Sequence, residues 1–282
     1  MKTQVKFLAI AALCTAMGFN ALAQGVKMPA PSPLQVIKQD FALSNVEVTY
    51  SRPSVKGRNI FGAQEPYGVI WRTGANAATK VKFGEDVKVN GIAIPAGEYA
   101  LYTIPGSSEW TVIFNKGIKN WGKDGYKESD DVARFTVQAT QMPFPVETFL
   151  INFENIRPSS MDMMIIWEET MVSFEITADI NDKIMAQIEE GMKNPDFKKR
   201  PYWQAANFYF ENNLNLDDAL KYVDDAIKQD ATFWKVHLKA KILAKKGDKA
   251  AAKAAAEQSI ALAKTAKNED YVRLNEKLIS AL

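Results

Sequence analysis

The first third of the sequence carries three arginines and an asparagine in two neighbouring segments, and donors of this kind could bind an anion. Arg52 and Arg58 lie in residues 50–58, and Arg72 and Asn76 lie in residues 67–76; we call these two segments the arginine loop. A guanidinium group pairs with a carboxylate or a sulfate through parallel N–H donors. The candidate ligand-binding residues are Arg52, Arg58, Arg72, Asn76 and Tyr102.

Aromatic residues downstream of the arginine loop could instead stack on sugar rings. They are Tyr99, Tyr102, Trp110 and Trp121. Trp110 alternates with Val112 and Phe114, however, and this spacing places all three on one inward face of a strand. We therefore favour a structural role for the aromatic residues. For Arg72 two interpretations stay open, because it could brace the fold or bind an anionic small molecule or glycan.

The scarcity of nucleophilic and metal-binding side chains excludes several classes of enzyme. Cys14 is the only cysteine, in a segment that we expect to be removed, and His237 is the only histidine, within a helical pattern. A cysteine nucleophile, a thiolate zinc site and an HExxH zinc site are therefore excluded. The S-x-x-K and G-x-S-x-G motifs of serine acyl transfer do not occur either. We predict no catalytic residue, no metal and no cofactor.

Three further patterns resemble ligand sites, and each has a simpler interpretation. Residues 117–124 approach a phosphate-binding loop, but Asp124 stands where that loop needs a serine or threonine. The acidic residues at 124, 128, 130 and 131 match no EF-hand spacing, so a solvated loop is favoured over a calcium site. Met161 and Met163 share one face of a predicted strand, where methionine fills the core.

The N-terminus is typical of a secretory signal peptide. Lys2 and Lys6 precede an apolar run over residues 7–19, and Ala21-Leu22-Ala23 follows as the small-x-small pattern that a signal peptidase cuts. We expect cleavage near Ala23 and an extracytoplasmic location, periplasmic or secreted, without a transmembrane segment. Removing residues 1–23 removes two lysines, so the formal net charge of +2 becomes 0. A neutral chain has no basic footprint for nucleic acid.

Strands must position the candidate residues of the first half of the chain. After a proline-containing linker at 24–33, apolar and polar residues alternate over residues 34–178. Asn90-Gly91 between two short apolar runs indicates a hairpin. Turn residues, including Pro143-Phe144-Pro145, separate the runs, and no helical pattern intervenes. This organisation is typical of an antiparallel β-sandwich or jelly-roll domain over 34–178.

The apolar period changes from two to 3.6 after Thr177, which predicts an all-α domain over 179–282 and an α+β fold class with two separate domains. Isoleucines at 180, 184 and 188 form an apolar stripe with Met192, behind Asp179 as a cap. Residues 203–226 recur after a shift of 33 at the key spacings of a tetratricopeptide unit, so the tail resembles tetratricopeptide repeats. Two units rarely fold alone, so we expect the stripe to dock on the sandwich or on another chain.

Several strings of the first domain resemble the bacterial family known as domain of unknown function 2911. The strings are Tyr50–Arg58, Tyr67–Asn76, Pro95–Gly106, Glu109–Asn115, Trp121-Gly122 and Trp167-Glu168. The resemblance covers roughly residues 33–177. It implies an exported β domain, often followed by helical repeats, and the family offers no catalytic residues to carry over.

These patterns together predict an exported two-domain protein that binds rather than catalyses. We expect an envelope binding or scaffolding module, with a protein partner on the helical repeats and an anionic small molecule or glycan at the arginine loop. The alternative is a carboxylate-based hydrolase acting on glycans, which needs neither histidine nor cysteine. Two carboxylates about 5–10 Å apart across an open cleft would favour that alternative.

Overall fold

A computed structural model describes residues 28–194 and 200–282, so the predicted signal peptide at 1–23 lies outside the described residues. The chain divides into two compact units on either side of Ala178. The first unit is built from strands and the second from helices, which confirms the predicted α+β fold class. None of the described helices is long and apolar enough to cross a membrane.

The described part of the first unit contains nine strands in one antiparallel sheet. Their bounds are β1 (Leu34–Phe41), β2 (Ser44–Ser51), β3 (Ala75–Phe83), β4 (Val87–Val89), β5 (Ile92–Ile94), β6 (Gly97–Ile104), β7 (Glu109–Asn115), β8 (Asp131–Glu154) and β9 (Ser160–Thr177). The strand order is β1-β2-β3-β6-β7-β8-β9-β4-β5. The predicted hairpin is confirmed, because Val89 pairs with Ile92 and both Asn90 and Gly91 have positive φ.

The long strand β8 joins two halves of this sheet. Its residues 131–138 pair with β7, and pairing with β9 begins at Ala139, opposite Val172. The inner faces of the two halves pack on each other. Phe114 of β7 meets Phe174 of β9 with ring centroids 6.2 Å apart. The sheet therefore folds over into two facing layers, as a sandwich does.

The turn that the sequence predicts at Pro143-Phe144-Pro145 is wrong, because β8 continues through these residues. Gln141 lies opposite Thr170 and Val146 lies opposite Glu168, so residues 142–145 of β8 face a single residue of β9. This is a large bulge of four residues opposite one, and Glu168 at its edge adopts a left-handed φ of 50°. Proline cannot donate to a ladder, so a bulge is where a strand tolerates it.

The second unit is a succession of helices. Their bounds are α1 (Asn181–Lys193), α2 (Tyr202–Glu211), α3 (Leu216–Gln229), α4 (Phe233–Lys245), α5 (Lys249–Thr265) and α6 (Glu269–Ser280). Asn215, Asp248 and Asn268 cap three of them by accepting from backbone N–H groups of the first turn. Asp179 is not the cap of α1, which instead begins after Ile180 without a side-chain cap.

The apolar stripe of α1 is covered from within the helical unit. Ile188 forms one buried cluster with Ala205 and Phe208 of α2, and Ile184 and Met192 pack against it. The stripe therefore packs on the neighbouring helix, and the expectation that it docks on the sandwich or on another chain is not needed to cover it.

A polar network is buried among α4, α5 and α6. The amide of Asn275 donates to Ser259 Oγ at 2.9 Å and to the Tyr271 carbonyl at 2.6 Å, so its Oδ1 accepts from His237 Nδ1 at 2.9 Å. Burial lowers the pKa of His237, and the positive charge of Lys241 acts in the same direction. The bond to Asn275 acts the other way but is outweighed. The folded chain therefore favours the neutral imidazole.

This network predicts a pH-dependent stability. The pKa of His237 is lower in the folded than in the unfolded chain, so the unfolded chain binds more protons and stability falls as the pH drops below about 6.5. His237→Asn keeps a donor and removes the titration. Thermal unfolding at pH 7.5 and pH 5.5 should show a larger loss in the parent than in this variant. Equal losses would contradict the prediction.

The division of the chain predicts that the β unit folds alone. The aromatic core of the β unit, which includes Phe114 and Phe174, contains no described residue after Ala178. The buried clusters of the helical unit contain no described residue before Ala178. A chain ending at Ala178 should give a β-rich circular dichroism spectrum and a cooperative melt, with residues 179–282 as the helical counterpart. An unfolded or insoluble product would mean that the two units share a core.

Candidate binding site

The bulge between β8 and β9 borders a cleft of about 630 Å³. One wall is formed by residues 139–147 of β8 and 168–170 of β9, and the other by residues from 55 to 67 and by Ser107 and Ser108. The polar and aromatic side chains of the lining include Asn59, Tyr67, Gln141, Glu147, Glu168 and Glu169. Bulges commonly re-aim side chains beside functional sites, and here three carboxylates and two amides face one space.

The carboxylate of Glu168 ties the two walls together. Its Oε2 accepts from the backbone N–H of Ile60 at 3.1 Å and of Phe61 at 3.4 Å. Glu168 makes these contacts from a left-handed backbone conformation, with φ of 50°. A non-glycine residue holds such a conformation only when its surroundings enforce it, and these two bonds contribute to that.

Glu147 holds the opposite end of the same wall. Its carbonyl accepts from the N–H of Val55 at 2.8 Å and from Trp167 Nε1 at 3.3 Å. Its Oε1 accepts from the N–H of Lys56 at 3.0 Å. Backbone and side chain of one glutamate therefore both position the segment that begins at Val55.

The rim of the cleft carries an exposed aromatic ring and a fixed polar pair. Tyr67 is 48% exposed. Its ring lies against Gly62, where a Cβ atom would stand 2.7 Å from it. The amide of Gln141 donates to Glu169 Oε2 at 3.3 Å.

The floor of the cleft rests on the aromatic core. Phe61 lines the cleft and packs edge-on against Trp110 at 4.7 Å. Trp71, from the segment between β2 and β3, and Trp167 of β9 stack beneath with ring centroids 5.9 Å apart. These rings are buried, so the wall that they support has a rigid base.

Two of the predicted arginines use their donors on the backbone. Arg52 Nε donates to the carbonyl of Phe149 at 2.8 Å, which links the end of β2 to β8. Arg58 donates from Nε to the carbonyl of Val55 at 3.0 Å and from Nη2 to that of Ser54 at 2.7 Å. Arg58 is exposed and Arg52 is half-buried.

Arg72 differs from the other two arginines. Its Nε is buried and has no hydrogen-bond partner among the described residues. Nη1 lies near Gly122, 3.6 Å from where a Cβ atom would be. Burial raises the pKa of Glu65, while the positive charges of Arg72 and Arg58 act to lower it.

The other two candidates lie apart from the cleft lining. Asn76 Nδ2 donates to Ser51 Oγ at 3.2 Å and to the carbonyl of Ser32 at 3.4 Å. Tyr102 is fully buried and accepts from Asn120 Nδ2 at 3.1 Å. Burial raises the pKa of Tyr102, although the bond from Asn120 opposes this. The structure therefore distributes the five candidates over several places rather than around one pocket.

The remaining patterns of the sequence have structural roles. Asp131 of the acidic loop accepts from Asn115, Tyr126 and Arg134. Burial together with Asp131 raises the pKa of Tyr126 to about 12. Within the described residues, no three His, Cys, Asp or Glu side chains are grouped so as to hold a metal ion. The core position of Met161 and Met163 is confirmed by their burial, and so is that of Trp110, whereas Trp121 is 68% exposed.

The sequence alone does not indicate that Glu147, Glu168, Glu169 and Tyr67 form a group. Glu168 and Tyr67 lie inside strings that carry the family resemblance, but nothing in their spacing indicates a shared cleft. The two prolines of Pro143-Phe144-Pro145 are the available signal. They mark the irregular stretch of β8 around which these side chains gather.

The β unit is thus a two-layered antiparallel sheet with an open, largely polar cleft beside the bulge of β8. The family model described as "Protein of unknown function (DUF2911)" matches residues 32–176, which is just over half of the 282 residues. The chain belongs to this family. No match was found among the curated proteins or among the solved structures.

Arg52 and Arg72 differ in their hydrogen bonds, so their alanine variants test which of the two side chains stabilises the fold. Arg52→Ala removes a charged donor from the Phe149 carbonyl and should lower the free energy of unfolding by about 1.5–3 kcal/mol. Arg72→Ala should change it by about 1 kcal/mol or less, because Nε leaves no partner unpaired. Denaturant titration of both variants checks this. A larger loss for Arg72→Ala than for Arg52→Ala would show that Arg72 is the brace.

Proposed function

We propose that the protein is a non-catalytic binding module whose cleft receives a glycan. The observation that carries this proposal is the cleft of about 630 Å³ with three carboxylates, two amides and an exposed tyrosine on its walls. Volumes of this size suit small ligands, and a few convergent polar groups orient them.

The chemistry of the lining matches the surface of a sugar. Sugar hydroxyl groups donate to carboxylate and amide oxygens, which Glu168, Glu169 and Gln141 supply. The ring of Tyr67 offers an apolar face with a polar tip, as suits the C–H face of a pyranose. Several of these groups are already held by hydrogen bonds within the chain, so binding costs little side-chain ordering.

The bonds made by the carboxylates also argue for binding without catalysis. Glu147, Glu168 and Glu169 each accept a hydrogen bond from an N–H donor. A glycosidase needs one carboxylic acid that bears a proton and a second carboxylate across the scissile bond. Carboxylates that serve as acceptors for the backbone are suited to positioning rather than to proton transfer.

A carboxylate-based hydrolase acting on glycans is the second candidate. The observation that favours it is that Glu147 and Glu168 face the same open cleft from neighbouring strands. The two candidates differ in a measurable product, the new reducing end that hydrolysis creates.

The helical unit supports the second part of the proposal, a protein partner bound by tetratricopeptide-like repeats. Ala206 and Ala240 occupy buried positions 34 residues apart, and Ala219 and Ala252 occupy buried positions 33 apart. The turn between α4 and α5 is one residue shorter than the turn between α2 and α3. This difference accounts for the change in spacing from 34 to 33 residues. A period near 34 and small residues at helix contacts are typical of these repeats.

We also propose that the protein acts outside the cytoplasm. The basic start, the apolar run and the cleavage pattern before Gln24 support export. A glycan ligand and a protein partner are both available in an envelope, so location and proposed function agree.

The cleft predicts a tyrosine-dependent affinity for glycans. Tyr67→Ala should weaken binding of neutral oligosaccharides roughly five- to tenfold, equivalent to about 1 kcal/mol of lost stacking. Trp121→Ala is the matched control, because it removes an exposed aromatic ring that does not line the cleft. Calorimetric titration with xylo-, cello-, manno- and chito-oligosaccharides measures the effect. Absence of binding to all four, or equal losses in both variants, would overturn the assignment.

The same oligosaccharides separate binding from hydrolysis. We expect no new reducing ends after prolonged incubation. Release of products by the parent and not by Glu168→Gln, with Glu175→Gln as a control on the same strand, would establish the hydrolase instead.

A further inference from the structure

A second pocket, of about 300 Å³, lies beside the cleft and has the opposite charge. Its lining residues are Pro31, Ser32, Pro53, Ser54, Lys56 and Arg58. These include two cations and no carboxylate. Ser54, Lys56 and Arg58 line this pocket, whereas Val55 and Asn59 line the cleft. One short segment is therefore a wall with an acidic cleft on one side and a basic pocket on the other.

A tight turn presents Lys56 to this pocket. Lys56 and Gly57 both have left-handed φ values, 50° and 69°, and the N–H of Arg58 donates to the carbonyl of Val55 at 3.1 Å. Successive positive φ values with this bond are the geometry of a type I′ turn. The N–H of Lys56 is held by Glu147 Oε1 at 3.0 Å, so the turn is anchored to β8.

Arg58 is held in place by the same turn. Nε and Nη2 donate to the carbonyls of Val55 and Ser54, and Nη1 donates to Gln64 Oε1 at 3.4 Å. Three of its five N–H donors are thereby used, and the other two have no partner among the described residues. Neither Arg58 nor Lys56 forms an ion pair within the described residues. A guanidinium group that is fixed but not saturated is preorganised for a planar anion.

We propose that this pocket binds the carboxylate of an acidic sugar unit, in a glycan whose uncharged units occupy the neighbouring cleft. The proposal rests on the proposed function, because it places the charged unit of the same ligand. The carboxylate meets the free donors of Arg58 and the ammonium group of Lys56, and the exposed ring of Pro31 contacts the body of the sugar. Glu168 and Glu169 of the cleft repel a carboxylate, and the lining of the pocket carries two cations, so the basic pocket is the place for it.

Nuclear magnetic resonance of the isotopically labelled chain from residue 24 onwards tests each site separately. The probes are glucuronate, its uncharged methyl ester and inorganic phosphate. Glucuronate should shift the backbone amides of residues 54–58 in a saturable manner at millimolar concentrations, and the ester should not. Amides around Tyr67 and Gln141 report on the cleft.

The decisive variant is Lys56→Asn, because asparagine tolerates the left-handed backbone and removes the charge. It should weaken glucuronate binding at residues 54–58 roughly two- to fivefold, the range for loss of one exposed charge pair. Lys267→Asn is the matched control, since Lys267 also has a left-handed φ, of 55°, and lies in the helical unit.

Each outcome decides between the two proposals. Shifts at residues 54–58 with glucuronate alone, weakened by Lys56→Asn and not by Lys267→Asn, support the acidic-sugar pocket. Equal shifts with the methyl ester, or none with glucuronate, overturn it and leave the glycan cleft to its own test. Tighter binding of phosphate than of glucuronate would reassign the pocket to a phosphate-bearing ligand. Shifts at the cleft without shifts at the pocket would support the proposed function alone.

Discussion

The passage of β8 from one half of the sheet to the other is the constraint on which the β unit depends. The change of partner falls between Gln138, which lies opposite β7, and Ala139, which lies opposite β9. Shortly after it, residues 142–145 interrupt the ladder opposite a single residue of β9. The interruption spreads the two strands and makes room for a cleft. It also turns Glu168 inward across that space, where its carboxylate bonds the backbone of the facing wall. The cleft thus lies at an irregularity of the same strand that runs from one layer to the other.

The carboxylates of the cleft accept hydrogen bonds from the protein and also remain accessible to a ligand, two roles that normally conflict. A buried acidic group is stabilised by hydrogen bonds, whereas a ligand site needs acceptors that remain accessible. Glu147 and Glu168 satisfy backbone N–H groups of the 55–61 segment and still line the cleft. A carboxylate has two oxygens with about four acceptor positions, so one or two internal bonds leave capacity for a ligand. The wall that shapes the cleft is consequently held by the residues that would contact its occupant.

The sequence predicts local structure well and the site poorly. The hairpin at Asn90-Gly91 and the change of period near Ala178 depend on neighbouring residues, and both are in the structure. The bulge depends on pairing between strands that the chain brings together only in three dimensions. The prolines at 143 and 145 therefore predict a turn, but the strand continues through them. Arginine-rich strings draw attention for their donors, but Arg52 uses its Nε–H on a carbonyl that only the folded chain brings near.

The position of the β4–β5 hairpin has a consequence for the order in which the chain becomes native. The hairpin is complete by Ile94, yet its partner strand is β9, with Val89 opposite Ile176, 87 residues further on. Until β9 is available, the hairpin exposes an edge that belongs in the sheet. Pairings of such long sequence separation form slowly, because the intervening loop must first be closed. A chain with this topology acquires its native sheet only after the whole first unit has been synthesised.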